Sequence, residues 1–163
     1  KRLSDIFGRA INIEQLLEKE SNIFQTASEA VREFVNSIEF TWVGIPIGSG
    51  FHVDHILTRE IGLKLFNSFV QNKKMNLFFY EDLPYSLNKN WLNEAINHCR
   101  TNLKLKRLHV SIDDYIDKKK ELIMLYQSQI KERDADQITN YAKTLDSCGF
   151  YERIWLVSNK GGI

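Results

Sequence analysis

The feature of this sequence that most constrains its fold is an apolar stretch that ends in glycine and leads directly into a helical pattern. Residues 40–47, FTWVGIPI, are mostly β-branched or aromatic and carry no charge, which predicts a buried strand. Gly-Ser-Gly at 48–50 predicts a tight loop, and the apolar residues between Ile56 and Val70 recur at intervals of three and four, which predicts a helix. A strand that leads through a loop into a helix is typical of α/β layered folds.

The rest of the chain continues this alternation. Helical spacing predicts helices over residues 22–38, 88–100 and 115–130, and apolar runs predict strands at 75–86 and 105–112. In the last of these helices we expect seven side chains to pack inward: Tyr115, Ile116, Leu122, Ile123, Leu125, Tyr126 and Ile130. Since no repeat, low-complexity tract or flexible linker interrupts the sequence, we predict a single α/β domain over residues 1–163.

Composition and charge argue against several classes of function. The 163 residues carry 22 basic and 21 acidic side chains, so a net charge of +1 gives no attraction to nucleic acid or to a membrane surface. The longest apolar runs are far shorter than the roughly 20 residues that span a bilayer, so we expect no membrane span and a cytoplasmic protein. Cys99 and Cys148 do not belong to a zinc-binding spacing, which predicts reduced thiols.

Two of the four histidines, His52 and His55, lie three residues apart in GFHVDH, with Asp54 between them. In one interpretation Asp54 caps the helix and both imidazoles are surface side chains of its first turn. In the other, the imidazoles share a face, so that one binds a metal while the second, held by a carboxylate, acts as an acid or stabilises charge. The spacing alone leaves both open. His98 and His109 have no acidic neighbour in the sequence and are interpreted as structural.

A second polar segment, FYEDLPYS, follows the next predicted strand. Glu81 and Asp82 are suited to contact a polar substrate or to orient a histidine, and Tyr80 and Tyr85 are suited to line a pocket. The alternative is a turn with solvated carboxylates. Because ligands of α/β proteins bind at the carboxyl ends of strands, we expect this segment and GFHVDH to converge on one edge of the sheet.

Four blocks of sequence, between about residues 44 and 157, carry a family resemblance: IPIGSGFHVDHILTREIGLKL, FFYEDLPYS, YIDKKKELIMLYQSQI and YERIWLV. Together they resemble the later part of the zinc-dependent N-acetylglucosaminyl-phosphatidylinositol de-N-acetylase family, also called PIG-L or LmbE-like. The resemblance implies a Rossmann-like layered sheet with flanking helices. It also implies zinc as cofactor and hydrolysis of the N-acetyl group of a small-molecule amino-sugar conjugate.

Residue by residue, the resemblance implies that His55 ligates zinc. It implies that His52 faces the substrate carbonyl, where it stabilises the tetrahedral oxyanion or protonates the leaving amine, and that Asp54 orients His52. It also implies three substrate-binding candidates near the mouth of the site: Glu81, Asp82 and Tyr85.

The chain departs from the family in one respect. The His-Pro-Asp-Asp signature, which supplies two further zinc ligands and the aspartate that activates water, is absent from this sequence. We therefore expect a C-terminal part of the fold that lacks its N-terminal segment, is inactive and binds zinc poorly alone, with the missing ligands supplied by a preceding segment or a second chain. The alternatives are a non-catalytic sugar-binding or regulatory homologue, and a structural partner whose exposed sheet edge a second chain covers.

Overall fold

The computed structural model describes residues 12–69, 76–101, 103–126, 128 and 130–158. The helices are α1 (Ile13–Lys19), α2 (Ser21–Ser37), α3 (Val53–Phe69), α4 (Lys89–Arg100), α5 (Ile116–Met124) and α6 (Glu132–Thr144). The strands are β1 (Trp42–Pro46), β2 (Asn76–Tyr80), β3 (Lys104–Ser111) and β4 (Tyr151–Ser158). None of the described helices is long and apolar enough to cross a membrane.

The four described strands form one mixed sheet in the order β1–β2–β4–β3. β1 and β2 are parallel, with Trp42 opposite Asn76 and Pro46 opposite Tyr80. β4 runs antiparallel to β2 on one side and to β3 on the other. Helices flank the sheet, so the α/β layered fold predicted from the sequence is confirmed. Because β1 and β2 are parallel neighbours, their carboxyl ends lie side by side at one edge.

The core lies between the sheet and helices α3 and α4. Its buried residues are Ile45, Ile47, Phe66, Leu77, Phe79, Leu92, Ala95, Ile96, Cys99 and Trp155. Helix α3 approaches β1 so closely that a Cβ atom at Gly62 would lie 2.6 Å from Ile45 Cγ2. Only glycine fits at this position without a shift of the neighbouring side chain. Full burial of a large apolar side chain stabilises the fold by about 1.5–3 kcal/mol. Strand β1 and helix α3 are therefore firmly held on both sides of the loop that joins them.

A smaller cluster fixes the start of α3. Leu16 of α1 is fully buried and packs with Phe51, Ile56 and Leu57. The loop that leaves β1 thus ends in a packed helix, and its conformation is constrained at both ends.

Two predicted elements are shorter than expected. The strand predicted over residues 75–86 ends at Tyr80, because the residues that follow form a turn and the short 3₁₀ helix Tyr85–Leu87. The helix predicted over 115–130 ends at Met124. The other predicted helices and strands are confirmed as α2, α3, α4, β1 and β3. The end predicted for α3, near QNKK at residues 71–74, lies outside the described residues.

The inward packing predicted for the last of these helices is wrong for four side chains, which are exposed: Tyr115, Leu122, Leu125 and Tyr126. The physical reason is that Tyr115, Leu122 and Tyr126 line an open cavity, while Leu125 follows the end of α5. The apolar stripe of α2 is also exposed in the described structure, with Ile23 at 59% and Phe34 at 62%. Helical periodicity therefore identified both apolar faces but not what they contact.

Candidate functional site

The loop between β1 and α3 is a tight turn whose backbone requires glycine. Gly48 and Gly50 have φ angles of 84° and 72°, in the left-handed region that favours glycine. A Cβ atom at Gly50 would also lie 3.0 Å from Tyr85 Cδ1. Since His52 follows this turn and His55 lies in the first turn of α3, the glycine conformations determine where both imidazoles are presented.

Asp82, after β2, holds this loop in place. Its Oδ2 accepts hydrogen bonds from the backbone N–H of Gly48 at 2.6 Å and from that of Ser49 at 2.8 Å. Ser86 Oγ donates to Ser49 Oγ at 2.9 Å, and both serines are fully buried. The predicted convergence of the two polar segments on one sheet edge is therefore confirmed.

The other carboxylate oxygen of Asp82 faces His55. Asp82 Oδ1 lies 3.4 Å from His55 Nδ1, and the Asp82 side chain is only 1% exposed. Burial raises the pKa of Asp82 above its usual value, while the His55 imidazole and the N–H groups of Ser49 and Gly48 oppose that rise. A carboxylate against Nδ1 orients the ring and leaves Nε2 as the nitrogen that meets a metal or a substrate.

His52, His55 and Tyr85 form a cluster of three rings. The two imidazole centroids lie 5.2 Å apart, and Tyr85 lies 6.0 Å from His52 and 5.5 Å from His55. His52 Nδ1 lies 3.7 Å from Asp54 Oδ2, but the Asp54 side chain is 79% exposed. Because solvent screens an exposed pair, Asp54 orients His52 more weakly than the buried Asp82 orients His55.

Arg59 is a buried cation that the sequence analysis did not identify. Its side chain is fully buried, Nη1 donates to the carbonyl oxygen of Ile47 at 3.1 Å, and Nη2 lies 2.8 Å from Glu60 Oε1. Since Ile47 immediately precedes Gly48, Arg59 fixes the start of the loop. The available sequence signal was an arginine three residues after Ile56, on the apolar face of the predicted helix.

Glu81 belongs to a separate hydrogen-bonded network. Its Oε2 accepts from the Tyr141 hydroxyl at 2.6 Å, and its Oε1 accepts from Arg153 Nε at 2.5 Å and from Trp155 Nε1 at 3.1 Å. Arg153 Nη2 also donates to the Tyr141 hydroxyl oxygen. With its side chain 3% exposed, Glu81 anchors the segment after β2 to α6 and β4. The substrate contact predicted for Glu81 stays a prediction.

The two histidines interpreted as structural lie on other elements. His98 is in α4, where burial lowers its pKa. His109 in β3 has an acidic partner after all, because its Nδ1 lies 3.5 Å from Asp146 Oδ2. Asp146 is distant in sequence, so this pair was not visible in the sequence around His109.

An open cavity of about 680 Å³ adjoins the imidazole cluster. His55 and Asp82 contribute to its lining, and so do apolar side chains from α5 and α6 such as Leu122, Ile123 and Ile138. A volume in this range encloses a drug-sized ligand. The site therefore combines a pair of imidazoles with an adjacent and mainly apolar cavity.

The described residues do not make a complete zinc site. A catalytic zinc ion is typically held by three protein ligands. Within the described ranges, no three His, Cys, Asp or Glu side chains are grouped so as to hold a metal ion. His55 does fit one ligand position, because a histidine that ligates a metal usually has a carboxylate or carbonyl oxygen against its other nitrogen, as Asp82 is here.

Comparison with known proteins finds similarity at the level of structure. No protein-family profile and no curated protein sequence matches the chain. The zinc-inhibited form of the teicoplanin deacetylase Orf2 is similar, with a TM-score of 0.71 and 18% identity over 90% of this chain and 55% of that chain. A deacetylase–teicoplanin complex has a TM-score of 0.71 and 20% identity, over 89% of this chain and 53% of that chain. The A40926 pseudoaglycone deacetylase Dbv21 has a TM-score of 0.64 and 16% identity, over 93% of this chain and 60% of that chain.

The TM-scores of 0.64–0.71 establish a shared fold, and with identities of 16–20% the similarity concerns the fold alone. The chain covers 53–60% of the length of these three structures. It therefore has the α/β fold of these deacetylases over somewhat more than half of their length.

Proposed function

We propose that this chain carries part of the active site of a zinc-dependent de-N-acetylase of the PIG-L or LmbE-like type. The reaction is hydrolysis of the N-acetyl group of an amino-sugar conjugate. The observation that carries the proposal is the pair of imidazoles, His52 and His55, at the carboxyl ends of two parallel strands, with Asp82 behind His55. The fold shared with the teicoplanin and A40926 deacetylases supports this class of reaction.

The chemistry of amide hydrolysis defines the roles of these side chains. Attack of water on the acetyl carbonyl places negative charge on its oxygen, and the amine must receive a proton before it leaves. In this proposal His52 donates a hydrogen bond to that oxygen or a proton to the amine, and Asp54 orients the imidazole. Tyr85 packs beside both imidazoles and limits how a sugar ring approaches them.

Zinc is the proposed cofactor, with His55 as one of its ligands. The described residues supply this single ligand position, so the remaining ligands and the base that activates water come from residues outside the described part or from a second chain. In this proposal Asp82 has the supporting role, since its carboxylate lies 3.4 Å from His55 Nδ1, on the side of the ring away from the zinc-binding nitrogen.

Acetate release tests the proposal. The native protein, purified from its source, is expected to release acetate from N-acetylglucosaminyl conjugates, to lose this activity on treatment with a chelator and to regain it with zinc. The 163-residue chain alone is expected to release none and to bind zinc weakly. Native protein that releases no acetate from any such conjugate contradicts the proposed reaction, and tight equimolar zinc on the chain alone contradicts the incomplete metal site.

A non-catalytic sugar-binding or regulatory protein is the second candidate. It is favoured by the absence of a grouped metal-binding set among the described residues. In that case the native protein binds N-acetylglucosamine with equal affinity in the presence and absence of a chelator, and releases no acetate. The chelator experiment therefore separates the two functions.

A further inference from the structure

The cavity beside His55 is larger than an acetyl group requires. Its volume is about 680 Å³, whereas the acyl part of an acetamide beyond its carbonyl is a single methyl group. Its walls include Ile112, Leu122, Ile123 and Ile138, supplied by the end of β3 and by helices α5 and α6. The same cavity reaches His55 and Asp82, so it is continuous with the imidazole cluster.

The cations in the cavity wall do not favour an anionic ligand. Each of the three Lys and Arg side chains has a carboxylate partner: Arg153 with Glu81, Lys119 with Glu152, and Lys118 with Glu121. Tyrosine and paired charged side chains also line the cavity, but most of its wall area is apolar, so an apolar ligand group gains more from burial there than a sugar does. The chemistry of the cavity therefore matches a hydrocarbon chain.

We infer that this cavity binds the aliphatic acyl chain of an N-acyl amino sugar longer than acetyl. The inference rests on the proposed function, since it takes the amide carbonyl to lie at His52 and His55. From that carbonyl the acyl chain enters the cavity that His55 borders, while the polar sugar remains on the exposed side of the imidazoles, where Asp54 is solvated. The substrate class is thus an N-acylated amino sugar with a medium-length chain.

Calorimetric binding to the 163-residue chain tests this assignment without requiring hydrolysis. The probes are N-acetylglucosamine, N-octanoylglucosamine and octyl N-acetylglucosaminide, which carries a chain of similar length on the anomeric oxygen instead of the amide. Because buried methylene groups add affinity, N-octanoylglucosamine is expected to bind about tenfold more tightly than either of the other probes.

Two matched variants locate the binding site. Leu122 lines the cavity and is 50% exposed, so Leu122→Gln removes apolar wall without opening the core. Leu125 is 74% exposed and lies outside the cavity wall, so Leu125→Gln is its control. Leu122→Gln is expected to remove most of the preference for the octanoyl chain, and Leu125→Gln is expected to leave it intact.

Equal affinity for N-octanoylglucosamine and N-acetylglucosamine overturns the inference, as does a preference that survives Leu122→Gln or is lost in Leu125→Gln. Binding of octyl N-acetylglucosaminide as tight as that of the octanoyl probe overturns the assignment to the acyl side. A retained octanoyl preference in a native protein that releases neither acetate nor octanoate from these amides would leave the cavity assignment standing and refute the proposed reaction. A native protein that hydrolyses the amide but shows no octanoyl preference would refute only the cavity assignment.

Discussion

Asp82 Oδ1 lies 3.4 Å from His55 Nδ1, and the same carboxylate accepts two backbone hydrogen bonds through Oδ2 from the loop that carries His52. One buried side chain therefore lies against one imidazole and holds the backbone of the loop that leads to the other. The two loops of the candidate site are consequently coupled, and a change at Asp82 reaches both histidines.

Replacing Asp82 with alanine is expected to destabilise the fold by about 2–4 kcal/mol, because the buried N–H groups of Gly48 and Ser49 lose their acceptor. Urea unfolding followed by circular dichroism measures this loss. Asp54→Ala, at a side chain 79% exposed, is the control and is expected to have a much smaller effect. Equal losses in the two variants would show that Asp82 does not hold the loop.

Replacing Arg59 with methionine is expected to lower the free energy of unfolding by about 3–5 kcal/mol, because the ion pair with the partly buried Glu60 and the hydrogen bond to the Ile47 carbonyl oxygen are lost together. Arg59 contacts both Glu60 and the carbonyl oxygen of Ile47, and is fully buried. Arg59→Lys keeps the charge but not the planar fork of donors, so we expect an intermediate loss. The free energy of unfolding in urea is the measurement.

The control for Arg59 is Arg107→Met on the exposed side of β3, for which we expect little change. An unfolding free energy for Arg59→Met within error of the wild type would contradict the structural role of Arg59. An Arg59→Lys variant with the unfolding free energy of the wild type would show that the positive charge alone holds the start of the loop.

The alternation of helices and strands was predictable because it depends on local periodicity. The stretch FTWVGIPI, the glycine loop and helix α3 formed as predicted, since each signal lies within a few residues. Strand β4 was not predicted from its pattern, because Glu152 and Arg153 interrupt its apolar residues. Arg153 belongs in the strand because Glu81 pairs with it across the fold, and that pairing is not encoded in any short stretch.

The candidate site was predictable to the level of residue types and sheet edge. The order and spacing of His52, His55 and the segment FYEDLPYS predict that these residues share one sheet edge. The hydrogen-bond partners of their side chains do not follow from order or spacing. Asp82 was predicted near the mouth of the site, with orientation of a histidine left open; the structure places it buried behind His55. Arg59 was missed because a charged residue on an apolar helix face has no local sequence signal for its partner, a carbonyl twelve residues earlier.

The two cysteines are expected to react at very different rates with Ellman's reagent. Cys99 is 4% exposed, and burial raises its pKa to about 11, so little thiolate forms near pH 8. Cys148 is exposed. The folded protein should therefore show one thiol that reacts fast. The Cys148→Ser variant should lack this fast reaction, and the Cys99→Ser variant should retain it. Two fast thiols would mean that the core around Cys99 opens readily.

Tyr141→Phe tests the network around Glu81. Burial first, and then the hydrogen bond to Glu81, raise the pKa of Tyr141 well above its ordinary value. Because the folded pKa exceeds the unfolded pKa of about 10, the stabilisation from this hydroxyl is complete below that pH and is lost as the pH rises above it. The wild type should exceed Tyr141→Phe by about 1–3 kcal/mol at neutral pH, and the difference should shrink above about pH 10.

The measurement is the difference in unfolding free energy between wild type and Tyr141→Phe, taken in urea at several pH values between neutral and strongly alkaline. Tyr115→Phe, at a side chain 67% exposed, serves as the control for general effects of high pH. A difference that stays constant through this range would show that Tyr141 ionises equally in both states. In that case its hydroxyl would not be bound to Glu81, and the anchoring of the segment that carries Asp82 would have to lie elsewhere.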